Sequence, residues 1–505
     1  MRNESPPATP AGMTHAPAGE GDTPAREGTP AASDGLDPVQ CHRAVQARDA
    51  RFDGRFFIAV KSTRIYCRPV CRVRLPKPAN CSFFRHAAQC EQAGYRPCLR
   101  CRPELAPLAE RWSIQDAGAV LATAAARRLD EIDRWTDAPS VAALAGGMGV
   151  SDRHLRRLFE THFGVSPLQY LQTRRLHAAK QLLTDTRLPI GEVAAASGFG
   201  SLRRFNAAFM AHYRMTPGRL RRERACDGPG SIVRLGYRPP YDIDAMLGFL
   251  ERRCIGGVEA IAGSGPDRRY LRTLRIASGD RRRQGWIEVS FERERNRLAL
   301  RIDDDLRDVL PAVIRRVRAA FDLDADPGAI DAVLAADFPG SAGLRVPGTV
   351  DGFELAVRAI LGQQVTVAAA RTIAGRLVER FGDPMATPFA GLDRLFPTPA
   401  RLARAEPDAL GGIGIVRQRQ AAIIALARAV EAEELPLTPA EDPATTMARL
   451  RALPGVGDWT AQYIAMRALH WPDAFPAGDI ALQRALGLPK SRQASAAAER
   501  ASRAW

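Results

Sequence analysis

Apolar residues recur at three- and four-residue spacing from 113 to 225, the period of helices that bury one face. Within that stretch VAALAGGMGVSDRHLRRLFETHFG, from Val141 to Gly164, reads as helix, glycine-containing turn and second helix, with Ser151 placed to cap the second. The pattern recurs as PIGEVAAASGFGSLRRFNAAFMAHYRMTP after a connecting helix around LQYLQTRRLHAAKQLL, so two helix-turn-helix units are expected. A Gly-Pro-Gly break at 228 to 230 marks a boundary. Beyond it the period falls to two: Ile287, Val289 and Phe291, then Leu298, Leu300 and Ile302, alternate in the manner of half-buried strands. Helices return from Leu306 and continue to the end, punctuated by Gly and Pro.

These changes of period predict a multidomain, mainly α chain. A disordered tail is expected over 1–36, since its Pro, Ala, Gly, Thr and Ser cannot bury enough apolar surface to offset ordering. A small cysteine-rich module follows over 37–112, a double helix-turn-helix domain over 113–229, an α+β domain over 230–327, and an all-α domain over 328–505. No apolar run of 18 residues occurs and the first residues lack a signal-peptide core, so a cytoplasmic, nucleoid-associated protein with no membrane partner is expected.

Composition sharpens the picture. Net charge is +16, which makes a polyanion, above all nucleic acid, the default partner. Only four of the 72 basic residues are lysines, Lys61, Lys77, Lys180 and Lys490, a bias that a GC-rich genome alone could produce. The distribution argues for DNA all the same: residues 151–226 hold 14 Arg or Lys against five Asp or Glu, over half of the chain's excess.

Nine cysteines are present and seven lie between Cys41 and Cys101, which points to metal or reactive thiol in a reducing compartment. Cys67-x3-Cys71 and Cys98-x2-Cys101 form two short-spaced pairs, the arrangement that grips a tetrahedral Zn²⁺ from two sides. A purely structural zinc site fits that spacing equally, and Cys81 or Cys90 is an alternative ligand. The words RFDGRFFIAVKSTRIYCRPVCRVRLPKPANCSFF and GYRPCLRCRPE resemble the N-terminal domain of the Ada family over roughly residues 38 to 105. That resemblance implies one zinc held by Cys67, Cys71, Cys98 and Cys101, with Cys67 accepting a methyl group from a DNA methylphosphotriester. Arg68, Arg72, Arg74, Arg100 and Arg102 surround the site in sequence and are candidates for phosphate contacts.

The doubled helix-turn-helix, with its GF…F…F…TP spacing, resembles the AraC-type DNA-binding domain. Recognition helices are expected to begin at Asp152 and Leu202, offering Arg153, His154, Arg156, Arg203, Arg204 and Asn206 to the major groove. In the Ada family, methylation of the first module turns such a domain into a transcriptional activator. The resemblance therefore implies promoter DNA, with RNA polymerase as a further partner.

Near the C-terminus LPGVGDWTA places Gly455 and Gly457 in a tight turn between helices, where backbone N–H groups can meet a DNA phosphate. Asp479 lies 22 residues beyond Gly457, in FPAGDIALQRAL. Hairpin, helix and Asp at this separation resemble the helix-hairpin-helix Gly/Pro-Asp superfamily, and VRAILGQQVTVAAA narrows the likeness to AlkA-type 3-methyladenine glycosylases over about 230 to 505. Where bifunctional members carry a Schiff-base lysine this chain has Trp459, so a monofunctional glycosylase is expected. No cysteine follows Cys254, so no iron–sulfur cluster is expected.

The implied chemistry gives Asp479 the task of stabilising a cationic sugar, Trp459 and Tyr463 that of stacking on the flipped alkylated base, and Gln364 the wedge position in damaged duplex DNA. Alternatively, Asp479 is only a helix cap and Trp459 and Tyr463 are core. Family members continue past AERASRAW with another helical segment, so a C-terminally shortened domain is expected. Two further readings compete: a transcription regulator whose glycosylase region is a degenerate scaffold, and a methyl-transfer protein acting through Cys67 alone.

Overall fold

A computed structural model describes residues 36–108, 117–130, 140–224, 232–278, 281–488 and 493–502. The tail expected over 1–36, apart from Leu36, lies outside these residues, as do the Gly-Pro-Gly break and Cys226.

The N-terminal module is a four-stranded sheet, β1 (Phe57–Val60), β2 (Ile65–Cys67), β3 (Cys81–Phe84) and β4 (Arg96–Pro97), in the order β3-β1-β2-β4. Phe56, Ile58, Tyr66 and Cys90 are buried on its two faces. The helix Ala87–Gln92 packs beside it.

Both helix-turn-helix units form where the period placed them. Val141–Gly146 is followed by Asp152–Phe163, whose N-cap Ser151 accepts from the His154 amide at 3.3 Å. Ile190–Ala196 is followed by Leu202–Tyr213, with Ser201 as N-cap. The connecting helix Pro167–Asp185 opens on a capping box of Ser166 and Gln169 and buries residues on several sides. The first unit has its own core around Leu129, Leu144, Leu155, Phe159 and Leu171.

The second unit does not. Phe205, Phe209, Tyr213 and Leu220 belong to one continuous core with Val233, Leu235, Ile287, Leu300 and Val313 of the α+β region. That region is an antiparallel sheet of β5 (Ile232–Gly236), β6 (Glu259–Ala262), β7 (Arg269–Ser278), β8 (Arg281–Glu292) and β9 (Arg297–Ile302), ordered β5-β9-β8-β7-β6. The alternation read from sequence holds: Ile287, Val289, Leu298, Leu300 and Ile302 are all buried toward the helices. The opposite face is covered as well. Trp286 and Leu271 pack there on Leu392, with Trp286 edge-on to Phe389 at 5.0 Å.

A buried ionic cluster joins this sheet to the C-terminal helices. Glu259 of β6 accepts from Arg272 of β7 at 2.5 Å and from Arg358 at 2.6 Å, while Arg272 also reaches Glu354. Glu354 and Arg358 sit on the buried helix Gly352–Leu361, around which the last domain packs.

Arg238, 1% exposed, holds the modules together further up the chain. Its guanidinium donates to the carbonyls of Asp53 (2.9 Å) and Leu108 (2.7 Å) on the N-terminal module and to Asp324 (2.5 Å) and Ala325 (3.2 Å) beyond the sheet. The approach is close: a Cβ on Gly236 would lie 2.6 Å from the Leu105 carbonyl oxygen.

Candidate functional site

The C-terminal site is built on two helices and the turn between them. Pro443–Ala452 leads through residues 453–457 into Asp458–Ala468. Gly455 has φ +74°, left-handed backbone that a side chain would strain. Gly457 is the N-cap of the second helix and supplies no side-chain cap, so the N–H groups of its first turn are left for an outside acceptor such as a phosphate. Gln363, which sequence reasoning passed over in favour of its neighbour, braces this turn. Its amide donates to the Gly455 carbonyl (2.9 Å) and to the Thr460 hydroxyl (3.0 Å), and Arg419 holds its backbone carbonyl.

Gln364 itself is exposed and has φ +54°, an uncommon conformation for a residue with a side chain. It stands at the tip between the helices Gly352–Leu361 and Val367–Phe381, where a side chain projects rather than packs.

Asp479 and Trp459 are brought together from 20 residues apart: the indole Nε1 donates to Asp479 Oδ2 at 3.0 Å. The other carboxylate oxygen accepts from the Ala481 and Leu482 amides at 2.8 and 3.0 Å, so Asp479 is also the N-cap of Ile480–Ala485. The helix-cap alternative and the functional alternative are therefore divided between two oxygens of one side chain. Trp459 and Tyr463 are both half-buried and stack on each other, centroids 5.2 Å apart with planes 15° from parallel. Arg467 lies over Tyr463 at 5.3 Å and donates to its hydroxyl at 2.5 Å. With neighbours of both kinds, Tyr463 offers less ring surface to a base than Trp459 does.

At the N-terminal site the sulfurs of Cys67, Cys71, Cys98 and Cys101 lie within 4.8 Å of one another, and Cys81 and Cys90 stand apart from this set. Four sulfurs around a tetrahedral zinc at about 2.3 Å would be separated by roughly 3.8 Å. Four thiolates this close are tolerable only with a cation among them, so the donor set fits zinc. A small cleft lined by Arg48, Val73, Arg74 and Leu75 opens onto Cys67 and Cys71. Cys101 instead receives the Arg68 backbone N–H at 3.4 Å, a contact that tempers a sulfur's nucleophilicity.

Not all the arginines expected near phosphate are free to meet it. Arg68 is buried and paired with Asp53, and Arg102 forms a two-pronged pair with Asp185 at 2.6 and 2.9 Å. Both are internal because they join the module to itself or to the next one. Arg72, Arg74 and Arg100 remain exposed.

On the helix-turn-helix units Arg153, Arg203, Arg204 and Asn206 are exposed at the starts of their helices. Arg156 is half-buried and pairs with Asp152 one turn earlier at 3.0 and 3.2 Å. His154 is likewise engaged, 3.1 Å from Arg157.

Comparison with known proteins follows the same division. Four family models match: "Metal binding domain of Ada" over residues 40–104, "Helix-turn-helix domain" over 144–223, "AlkA N-terminal domain" over 232–351 and "HhH-GPD superfamily base excision DNA repair protein" over 357–504. The "Probable bifunctional transcriptional activator/DNA repair enzyme AlkA" of Mycobacterium tuberculosis is 39% identical over 471 residues, 90% of this chain and 91% of that one. "DNA-3-methyladenine glycosylase 2" of Escherichia coli is 35% identical over 255 residues, 50% of this chain and 85% of its own. "Bifunctional transcriptional activator/DNA repair enzyme AdaA" of Bacillus subtilis is 32% identical over 180 residues, 35% of this chain and 80% of its own.

Proposed function

This chain belongs to the family of bifunctional transcriptional activator/DNA repair enzymes of the AlkA kind, and from that premise we propose how its residues divide the work. The C-terminal half hydrolyses the glycosidic bond of alkylated bases such as 3-methyladenine in double-stranded DNA. The first two modules accept methyl groups and regulate transcription at promoters. The observation that carries the glycosylase reading is the meeting of Asp479 with Trp459 beside the glycine turn.

Alkylation at a ring nitrogen makes a purine cationic and weakens its bond to the sugar. The free N–H groups at Gly457 would hold a phosphate, and Gln364 would fill the gap left by a flipped base, its φ of +54° already aiming it outward. Trp459 would stack on the cationic base, worth about 0.5–2 kcal/mol, with Tyr463 fixing its plane from behind. Asp479 Oδ2 would face the cationic sugar as the bond breaks and assist water, an electrostatic contribution of about 3 kcal/mol or more in a water-poor site. Trp459 stands where a lyase needs lysine, so the product is an intact abasic strand.

In the N-terminal module, zinc held by Cys67, Cys71, Cys98 and Cys101 would keep its sulfur ligands ionised. Cys67 Sγ attacks the methyl carbon of a phosphotriester; the S–C bond forms, the C–O bond breaks, and the phosphate oxygen leaves with the electron pair as an anionic diester. The cleft opens on Cys67 and Cys71 alike, so the choice of Cys67 rests on the resemblance of its IYCRPVC word, and Arg48 and Arg74 in the cleft lining would receive the restored phosphate charge. Arg153, Arg156, Arg203, Arg204 and Asn206 read promoter DNA, with RNA polymerase as the partner of an activator, in a cytoplasmic, nucleoid-associated protein.

Base release from methylated duplex DNA tests the reading, with Asp479→Asn as the discriminating variant. Asn caps a helix about as well as Asp, so the cap stays while the charge and the acceptor for Trp459 Nε1 go. Turnover is expected to fall at least 100-fold with DNA binding kept; full turnover in the variant would leave Asp479 only its cap. Mass analysis after exposure to methylphosphotriester DNA checks the acceptor, which is expected to show one added CH₂ on Cys67.

A further inference from the structure

Where the N-terminal module meets the second helix-turn-helix unit, three ligand-type side chains from three helices converge. Glu91 comes from Ala87–Gln92, His177 from the connecting helix Pro167–Asp185, and His212 from the candidate recognition helix Leu202–Tyr213. Their ligand atoms all lie within 4.8 Å of one another. Both imidazole Nε2 atoms are 3.2 Å from the same oxygen, Glu91 Oε1. The side chains are 7 to 12% exposed, so water does little to screen them.

Hydrogen bonding accounts for only part of this arrangement: the Tyr66 hydroxyl lies 2.9 Å from His177 Nε2, but the other imidazole has no such partner. His212 Nε2 is buried and has no hydrogen-bond partner, although it sits 3.2 Å from a carboxylate oxygen. A nitrogen and a carboxylate oxygen that approach without a proton directed between them are two electron-rich atoms in contact, a costly arrangement at a buried site. Something positive between them would remove the cost. Ligand atoms held at about 2.0–2.2 Å by a tetrahedral metal lie roughly 3.3–3.6 Å apart, close to the spacing seen. Two imidazoles and one carboxylate are a donor set for zinc or a similar divalent transition metal, with a fourth position for water.

The surroundings supply what such a site needs. Tyr66 donates to Glu91 Oε1 at 2.8 Å and Thr173 donates to the other carboxylate oxygen, so the carboxylate is oriented from outside the triad.

We propose that Glu91, His177 and His212 form a second divalent-metal site, of the zinc class, distinct from the four-cysteine site and shared between two modules. It staples the N-terminal module to the helix that presents Arg203, Arg204 and Asn206. It also touches Tyr66, the residue before Cys67, so the staple lies one residue from the thiolate set.

The test uses the full chain, loaded with Zn²⁺ and freed of excess metal by gel filtration. Two zinc equivalents per chain are expected in the wild type and one in His212→Gln, with unchanged far-ultraviolet circular dichroism. One equivalent in the wild type would overturn the proposal, and so would two in the variant. Cobalt titration of the wild type gives an answer even if the variant fails to fold. The four-cysteine equivalent brings thiolate-to-cobalt charge-transfer absorption, and the other is expected to add only weak d–d bands. Thiolate absorption growing with both equivalents would place the second metal on other cysteines and sink the proposal.

Discussion

Lys180 is one of only four lysines in a chain with 72 basic residues, and it is 1% exposed. Its ammonium donates to Glu104 Oε2 at 2.7 Å and to the Cys98 carbonyl at 3.2 Å. With Arg102 and Asp185 it completes a neutral buried set of two cations and two anions across the module junction. Lys180→Met fills the space but leaves one negative charge without its partner, which costs about 3–5 kcal/mol; equilibrium denaturation of the full chain should show the N-terminal part unfolding at lower denaturant. The same set makes a pH prediction. Burial raises the Glu104 carboxyl, but Lys180 and Arg102 overcome this and bring it down to about 2 from its ordinary 4.5. A carboxyl depressed on folding adds stability above its unfolded value, so the Glu104 contribution to this junction is expected to be lost as pH falls from 4.5 toward 2, while Asp185, whose carboxyl burial pushes up, works in the opposite direction. Circular dichroism melts across that window check it, and a junction as stable at pH 2 as at pH 6 would contradict it. None of this was legible in the sequence. Lys180 is an ordinary residue in the connecting helix, and only the fold reveals that Glu104, 76 residues upstream, is its partner.

Elements were easier to read than residues, because helix and strand periods are local. The two candidate recognition helices begin where Ser151 and Ser201 cap them, and the strands alternate as the sequence suggests. The glycine turn was legible for the same reason: Gly455 adopts the positive φ that its place in LPGVGDWTA requires. Side-chain engagement was not. Sequence placed Arg153 and Arg156 on one footing, yet Arg153 is exposed while Arg156 is held by Asp152. Replacing Arg203 or Asn206 with Ala is therefore expected to cost about 1–3 kcal/mol of discrimination at the contacted base pair. Arg156→Ala is expected to cost less, since Arg156 must first leave Asp152. Competition binding with single-base operator variants measures both, and a larger loss for Arg156→Ala would show that the pair opens on DNA.

At the scale of the whole molecule the sequence divides the chain into successive modules, and in the structure two of them share one core. The second helix-turn-helix unit shares its core with the sheet that follows, so a fragment of residues 113–229 would expose Phe209, Tyr213 and Leu220. Such a fragment is expected to aggregate or melt well below the full chain, whereas extending it through the sheet to residue 327 should restore a cooperative transition. Calorimetry of the two fragments decides, and an equally stable short fragment would refute the shared core. Fusion was hidden because a core that spans two modules has no local period; each helix and strand only reports that one of its faces is apolar.

Arg238 gives that fusion a direction in time. Synthesis runs from residue 1, so the carbonyls of Asp53 and Leu108 leave the ribosome before the guanidinium that will hold them exists. Asp324 and Ala325, two further acceptors, arrive later still. At about 5–20 residues per second, the gap between Leu108 and Asp324 lasts on the order of ten seconds or more. Until Arg238 is made, those carbonyls of the N-terminal module have only water as a partner, and the full set of contacts closes only after residues 324 and 325 follow.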